Sequence, residues 1–270
     1  MLSSEEKEIK YLYRYRPINE YTIKSLIHNE LYFASPVSLN DPFDSKVNVF
    51  YEPKKEEDWL RWIENHYKEP QEKKYYTQQL RDVGINKFGK DFNKYIIDNR
   101  RSAVAHLGIV SLTSNEKHIL MWSHYADSHK GLCFGFETCI GKELHLHFKE
   151  PLRYYPAYPV EYQLELPSQV NMFSEDRENL VKFLKTKHLD WQYENEYRLI
   201  IPTEKYQGMR NMKFEKHILK KVIFGLDISS DNKKMIKEIV NKFYIEMGFP
   251  VKFYQAIEMK DSYGLTYEEE

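Results

Sequence analysis

The sequence predicts an α+β fold: mostly antiparallel sheet, with flanking helices and a helical insertion at about 52–105 in an otherwise single domain spanning 1–270. Three observations carry that expectation. Short alternating or apolar runs, such as Leu107–Thr113, Gly131–Phe136 and Leu144–Phe148, have strand character. Turn-forming residues punctuate them at short intervals. Residues 52–105 change character, becoming dense in Lys, Glu, Gln and Tyr with apolar residues at helical spacing.

Along the chain, Tyr11–Arg16 alternates and is aromatic, so it reads as a strand that Pro17 ends. Asn19 is placed to cap a short helix that presents Ile23, Leu26 and Ile27 on one side. Leu31–Ala34 is a short strand running into a turn-rich loop, Ser35–Asp44, with two prolines. In 52–105, Trp59, Trp62 and Ile63 mark the inner side of two or three amphipathic helices, joined near Pro70 and Gly84. Tyr154–Tyr162 is a proline-interrupted edge strand. Ser174 opens a helix that closes near Lys185, Lys187 and His188. Trp191–Ile201 begins polar and ends apolar, a loop running into a buried strand. Val222–Leu226 is a buried strand. Ser229 or Ser230 caps a long helix with Met235, Ile236, Ile239 and Phe243 inward, and Val251–Ile257 is a last strand.

Length and an apolar fraction of 41% allow a substantial core. Forty basic against 41 acidic residues leave a net charge of −1, so no global field draws the chain to bulk nucleic acid or to a membrane surface. Twenty-two tyrosines suit wet pockets and interfaces, or fill half-buried positions. Cys133 and Cys139 match no common zinc spacing, and so few cysteines fit a reduced compartment. No apolar run approaches the roughly 18 residues of a membrane span. The expectation is a cytoplasmic protein with no membrane partner and no resident metal.

Chemistry concentrates at Glu194, Glu196 and Arg198. Alternation along a strand puts them on one side, with Tyr197, Leu199 and Ile201 on the other. Two acids on one side repel unless a cation sits opposite. The plainer reading is a paired-charge strand end, satisfied by Arg198 and lysines; the functional one is a site. Arg14 and Arg16 could grip a carboxylate or phosphate with paired hydrogen bonds, or be surface arginines. Asn40 and Asp41, before Pro42, form a braced turn or a loop over a ligand. Met121–Gly131 gathers Trp122, His124, Tyr125, Asp127 and His129 around a pocket or a buried core. The histidine spacing suits no single regular element as a metal site, and His145 with His147 reads as an exposed alternating face. There is no phosphate-binding glycine loop, no G-x-S-x-G elbow and no H-E-x-x-H.

Several of these stretches together resemble one family. They are Tyr13–Arg16, Leu31–Pro36, Asn40–Phe43, Met121–Asp127 with His129 and Gly131, Val160–Tyr162, Lys187 with Trp191, Glu194-x-Glu196-x-Arg198, and Phe224-Gly225. On them the chain is identified as a member of the prokaryotic and phage domain of unknown function 2971 (DUF2971) family, whose members are thought to occur near mobile elements and defence genes. More distantly, the order of parts is similar to that of ADP-ribosyltransferases: an early-strand Arg, a short helix, an aromatic or Ser/Thr strand, and a late Glu-x-Glu. That resemblance implies NAD as substrate, with Glu196 stabilising the sugar cation, Glu194 orienting the attacking group and Arg14 or Arg16 clamping the diphosphate. Tyr32, Phe33 or Trp122 would stack on a ring, and Ser111 would stand in the Ser/Thr motif. The partners implied are a nucleotide and an unknown macromolecular target or partner protein.

The leading expectation is thus an NAD-consuming transferase or NAD glycohydrolase, in phage defence or toxicity. A non-catalytic ligand- or partner-binding module is one alternative. A metal-dependent nuclease using Asp127, Glu194 and Glu196 is another, against which the lack of a basic surplus argues.

Overall fold

The computed structural model describes residues 9–46, 49–98, 104–140, 144–173 and 179–270; the side chains of residues 140, 179 and 180 are outside the description. The chain divides into two compact units. One draws on segments 1–35, 106–162 and 187–270, the other on 36–105 and 163–186. The helical segment expected at 52–105 lies within the second, whose bounds are wider because a later stretch of chain returns to it.

The first unit is built on an eight-stranded sheet. In chain order its strands are β1 (Tyr11–Arg16), β2 (Leu107–Thr113), β3 (Leu132–Glu137), β4 (Tyr158–Pro159), β5 (Glu196–Pro202), β6 (Leu219–Phe224), β7 (Lys252–Glu258) and β8 (Leu265–Glu269). Across the sheet they run β8-β7-β6-β3-β1-β2-β5-β4. All neighbours are antiparallel except β6 and β7, which are parallel and connected through the Ser230–Phe243 helix. The α+β expectation holds.

The register fixes which side each residue serves. Leu12, Val110, Leu112, Phe134, Phe136, Tyr197, Leu199 and Ile201 join one large core with Leu26 and with Ile236 and Val240 of the Ser230–Phe243 helix. Tyr13, Tyr15, Cys133 and Ile223 point the other way, into a smaller cluster with Met121 and Trp122. The sequence caps the helices as expected. Asn19 Oδ1 accepts the Thr22 N–H at 3.0 Å and Ser229 Oγ accepts the Asn232 N–H at 3.3 Å. Asn29, in the left-handed region, ends the Glu20–His28 helix.

β8 was not anticipated, because Leu265–Glu269 carries acids rather than the apolar alternation of a core strand. Its Glu269 is held by Lys252 of β7 at 2.8 and 3.0 Å. The strand expected at Leu31–Ala34 forms at Glu30–Tyr32, paired with Asn211–Lys213. The helix expected from Ser174 has its opening outside the described residues; the described part is Asn179–Leu184.

In the second unit, Glu56–His66 and Pro70–Asp98 are helices, and Gly84 (φ 79°) breaks the latter where a glycine was expected to join two. Trp59, Ile63, Leu80 and Phe88 are its core, with Tyr51, Trp62, Phe92 and Phe173 packed around them.

Candidate functional site

β5 begins at Glu196, two residues later than a strand carrying Glu194 would need. Glu194 closes a 3-10 turn, Leu189–Glu194, and Asn195 follows in the left-handed conformation (φ 43°). The two acids still meet, because a cation lies between them. Lys187 Nζ is 2.5 Å from Glu194 Oε2 and 3.4 Å from Glu196 Oε2. Arg198 completes the group with a bidentate grip on Glu196: Nε donates to Oε1 at 2.8 Å and Nη2 to Oε2 at 3.0 Å. These side chains are at most 5% exposed, and Arg198 is wholly buried. The charges cancel in pairs, as burial requires.

Neutral groups finish the cluster. The Tyr125 hydroxyl donates to Glu194 Oε1 at 2.6 Å, and the Glu196 N–H donates to the Tyr162 hydroxyl at 2.8 Å. Ser111 faces Arg198 across the β2–β5 pair, and its side chain hydrogen-bonds Glu196. Lys187 also lies 4.7 Å from the centre of the Trp191 ring. Half-buried Tyr193 lies 6.1 Å from Trp191 and 5.3 Å from His118, with exposed His124 at 6.4 Å.

The environment pushes the two carboxyls apart. Burial alone would raise Glu196, but Arg198, then Lys187, and hydrogen bonds from Arg198 and Ser111 outweigh it and pull it down to about 2. Glu194 moves up. Burial dominates there and the neighbouring Glu196 charge adds to it, against the opposing pull of Lys187 and Tyr125. One acid is held as an anion; the other is a stronger base than a free glutamate.

The arginines expected to complete the site are elsewhere. Alternation along β1 places Arg14 and Arg16 on the side of Leu12 and the large core, whereas Glu196 and Arg198 share the side of Tyr13. The early cationic strand and the late acidic one are near neighbours in the sheet, but their charges face opposite ways. Arg16 Nε donates to Thr22 Oγ1 at 3.2 Å and so braces the Glu20–His28 helix. Arg14 loses hydration and lies beside the Arg16 charge, which lowers its proton affinity, although a guanidinium keeps its charge at neutral pH.

Other expected members have structural posts. Phe33 is in the large core, 6.1 Å from Phe148. Trp122 is fully buried, edge-on to Tyr15 at 5.0 Å, and its indole N–H points to the Glu116 carbonyl and the Tyr267 hydroxyl. Neither is free to stack on a ligand. Tyr32 is half-exposed on its short strand. In the second unit, Asn40 Oδ1 accepts the Asp41 N–H and Asp41 Oδ1 accepts the Phe43 N–H, a braced turn. Asp127, Ser128 and His129 are consecutive left-handed residues after the Ile119–Tyr125 helix, and His129 Nε2 lies 3.2 Å from Ser123 Oγ. Among the described residues, no three His, Cys, Asp or Glu side chains gather to hold a metal ion. No described helix is long and apolar enough to cross a membrane.

Lys187 is the member that motif reading undervalued. Its place in the cluster depends on the chain turning back through the Leu189–Glu194 turn, which spacing alone does not reveal. Tyr162 belongs to one of the stretches that carry the family resemblance, which implies no role for it, and Tyr193 and His118 carry no sequence signal beyond being aromatic.

A family model described as "Protein of unknown function (DUF2971)" matches residues 121–199, a stretch that includes Tyr125 and the whole ion cluster. No curated protein and no solved structure matches the chain.

Proposed function

We propose that this chain, whose residues 121–199 carry the DUF2971 signature, cleaves the ribosyl N-glycosidic bond of a nucleotide such as NAD. The carrying observation is the opposed shift of two adjoining carboxyls, Glu196 down and Glu194 up. Environments that separate two acids in this way divide the roles of charge stabiliser and proton acceptor between them.

The chemistry is direct. The C1′–N bond breaks, its electron pair leaves with neutral nicotinamide, and positive charge builds on the ribose. Glu196, held anionic by Arg198 and Lys187, stabilises that charge as it develops. Glu194 takes the proton of the attacking hydroxyl, from water or from a side chain or nucleotide of an acceptor, as the new C1′–O bond forms. Trp191 and Tyr193 offer rings to a base. Because Arg14 and Arg16 face away, the diphosphate clamp in this reading must come from other residues, and the base and ribose carry recognition. A role in defence or toxicity fits consumption of a shared nucleotide.

The test is purified protein with NAD, following free nicotinamide. Release that disappears in Glu196→Gln and survives in Arg14→Met supports the reading. No release with NAD or with other ribosyl nucleotides ends it. The burial and full pairing of the cluster favour a second reading, in which it locks β5 to the preceding turn inside a binding module. That reading predicts loss of stability, without turnover, when any member is removed.

A further inference from the structure

Away from the ion cluster, two imidazoles meet across 70 positions of sequence. His147 Nδ1 lies 3.3 Å from His217 Nε2. The approach is built by the backbone. The Glu215 N–H donates to the His147 carbonyl at 3.0 Å, the Lys149 N–H donates to the Lys213 carbonyl at 2.8 Å, and Phe148 bridges to Phe214 between them. Tyr154 stacks on the His147 ring, with centroids 4.4 Å apart and planes 11° apart, and so fixes its orientation. His217 is exposed and His147 half-buried, so the gap between them opens to solvent.

We infer that His147 and His217 form a surface site for a zinc-class divalent cation, with water in the remaining positions. Two nitrogens each about 2.0–2.1 Å from a tetrahedral ion lie about 3.3–3.4 Å apart, which is the span the backbone already holds. Neutral imidazole suits zinc, nickel and copper and discriminates against magnesium and calcium, which take oxygen. Without metal, the facing nitrogens share one hydrogen. Binding needs both lone pairs, so that hydrogen moves to the far nitrogen of its own ring and no net proton is lost from the neutral pair. Glu215 and Glu137 place negative charge near His217, and Lys220 opposes them. His145 and Cys139 sit opposite each other on adjacent strands, but no third ligand closes on the pair among the described residues. The site therefore holds its ion by two protein bonds that tie the Leu144–His147 strand to the Lys216–Ile218 turn.

The test uses the full chain, stripped with chelator and titrated calorimetrically with Zn²⁺ and with Mg²⁺. Expected is Zn²⁺ binding, a Zn²⁺-dependent rise in melting temperature, and no effect of Mg²⁺. His217→Gln weakens Zn²⁺ by at least about tenfold, since loss of a ligand's supporting partner alone costs about 10–100-fold. Because His217 is exposed, the metal-free melting temperature of that variant stays at the wild-type value, which separates loss of the site from loss of the fold. Cys139→Ser leaves the affinity unchanged. Unaltered Zn²⁺ affinity in His217→Gln, a fall in Cys139→Ser, or no binding at millimolar Zn²⁺ overturns the assignment.

Discussion

The Tyr125 hydroxyl donates to Glu194 Oε1 at 2.6 Å and so ties the end of the Ile119–Tyr125 helix to the turn that precedes β5. This bond is one of the few forces lowering the Glu194 carboxyl against burial. Tyr125→Phe therefore sends Glu194 still higher, and the lost bond costs about 1 kcal/mol. Carboxyl-carbon NMR titration reads the first effect and urea unfolding the second. A Glu194 titration that stays put or moves down contradicts the assignment.

Glu196 supplies acid-side stability. Its folded-state value is depressed to about 2, so its contribution is present above its unfolded value of about 4.3 and is lost as pH falls from there through about 2. Glu194 runs the other way: its folded-state value is raised, so its contribution is present below the unfolded value and lost as pH rises through the folded one. Comparing wild type with Glu196→Gln isolates the first. Near neutrality the variant is less stable by on the order of 3–5 kcal/mol, since Arg198 is left buried without its anion. The gap narrows by up to about 3 kcal/mol as pH drops through that window. Unfolding series at stepped pH check it, and a constant gap refutes the linkage.

Removing the cation between the two acids has its own signature. Lys187→Met leaves two adjoining carboxyls with Arg198 alone to offset them, and costs about 3–5 kcal/mol near neutrality. Both carboxyls rise, so protonation relieves the strain and the variant regains stability toward pH 4. A thermal-shift series from pH 8 to pH 4 should show its melting temperature climbing relative to wild type.

Gly225 is a packing constraint. A Cβ there would meet the His129 carbonyl oxygen at 2.1 Å and the Gly131 oxygen at 3.0 Å. Both are backbone and neither can swing aside. Gly225→Ala should cost about 1–3 kcal/mol or more and disturb the left-handed turn at Asp127–His129. Chemical-shift changes confined to that turn and β6, with a lowered urea midpoint, are the expected outcome.

Most of the fold was legible because local chemistry and global packing agree. Asn19 and Ser229 cap the helices they precede, Gly84 breaks the long helix, and Tyr197, Leu199 and Ile201 point into the core as alternation requires. Glu196 and Arg198 were legible as a pair for the same reason. What alternation cannot say is how two strands are phased against each other. Arg14 and Glu196 belong to strands that both pair with β2, yet the register turns their side chains to opposite sides. Lys187 was hard to weigh, because a lone lysine has no periodicity; only the folded turn brings it between the acids. Trp122 and Phe33 illustrate a different limit. An aromatic ring reads the same in sequence whether it fills a core or awaits a ligand, and burial alone distinguishes them.

β8 also bears on how the molecule behaves in concentrated solution. A sheet margin with unmated amides invites a neighbouring chain to zip onto it. Here the outermost strand ends in Glu268 and Glu269; Lys252 pairs Glu269, and Lys233 and Lys237 pair the following Glu270, so Glu268 is the acid that, without an ion pair among the described residues, repels a second such margin. Cutting the chain after Gly264 would strip that guard and bare the Lys252–Glu258 strand. Self-association of the shortened protein into fibrous or amorphous material is the consequence.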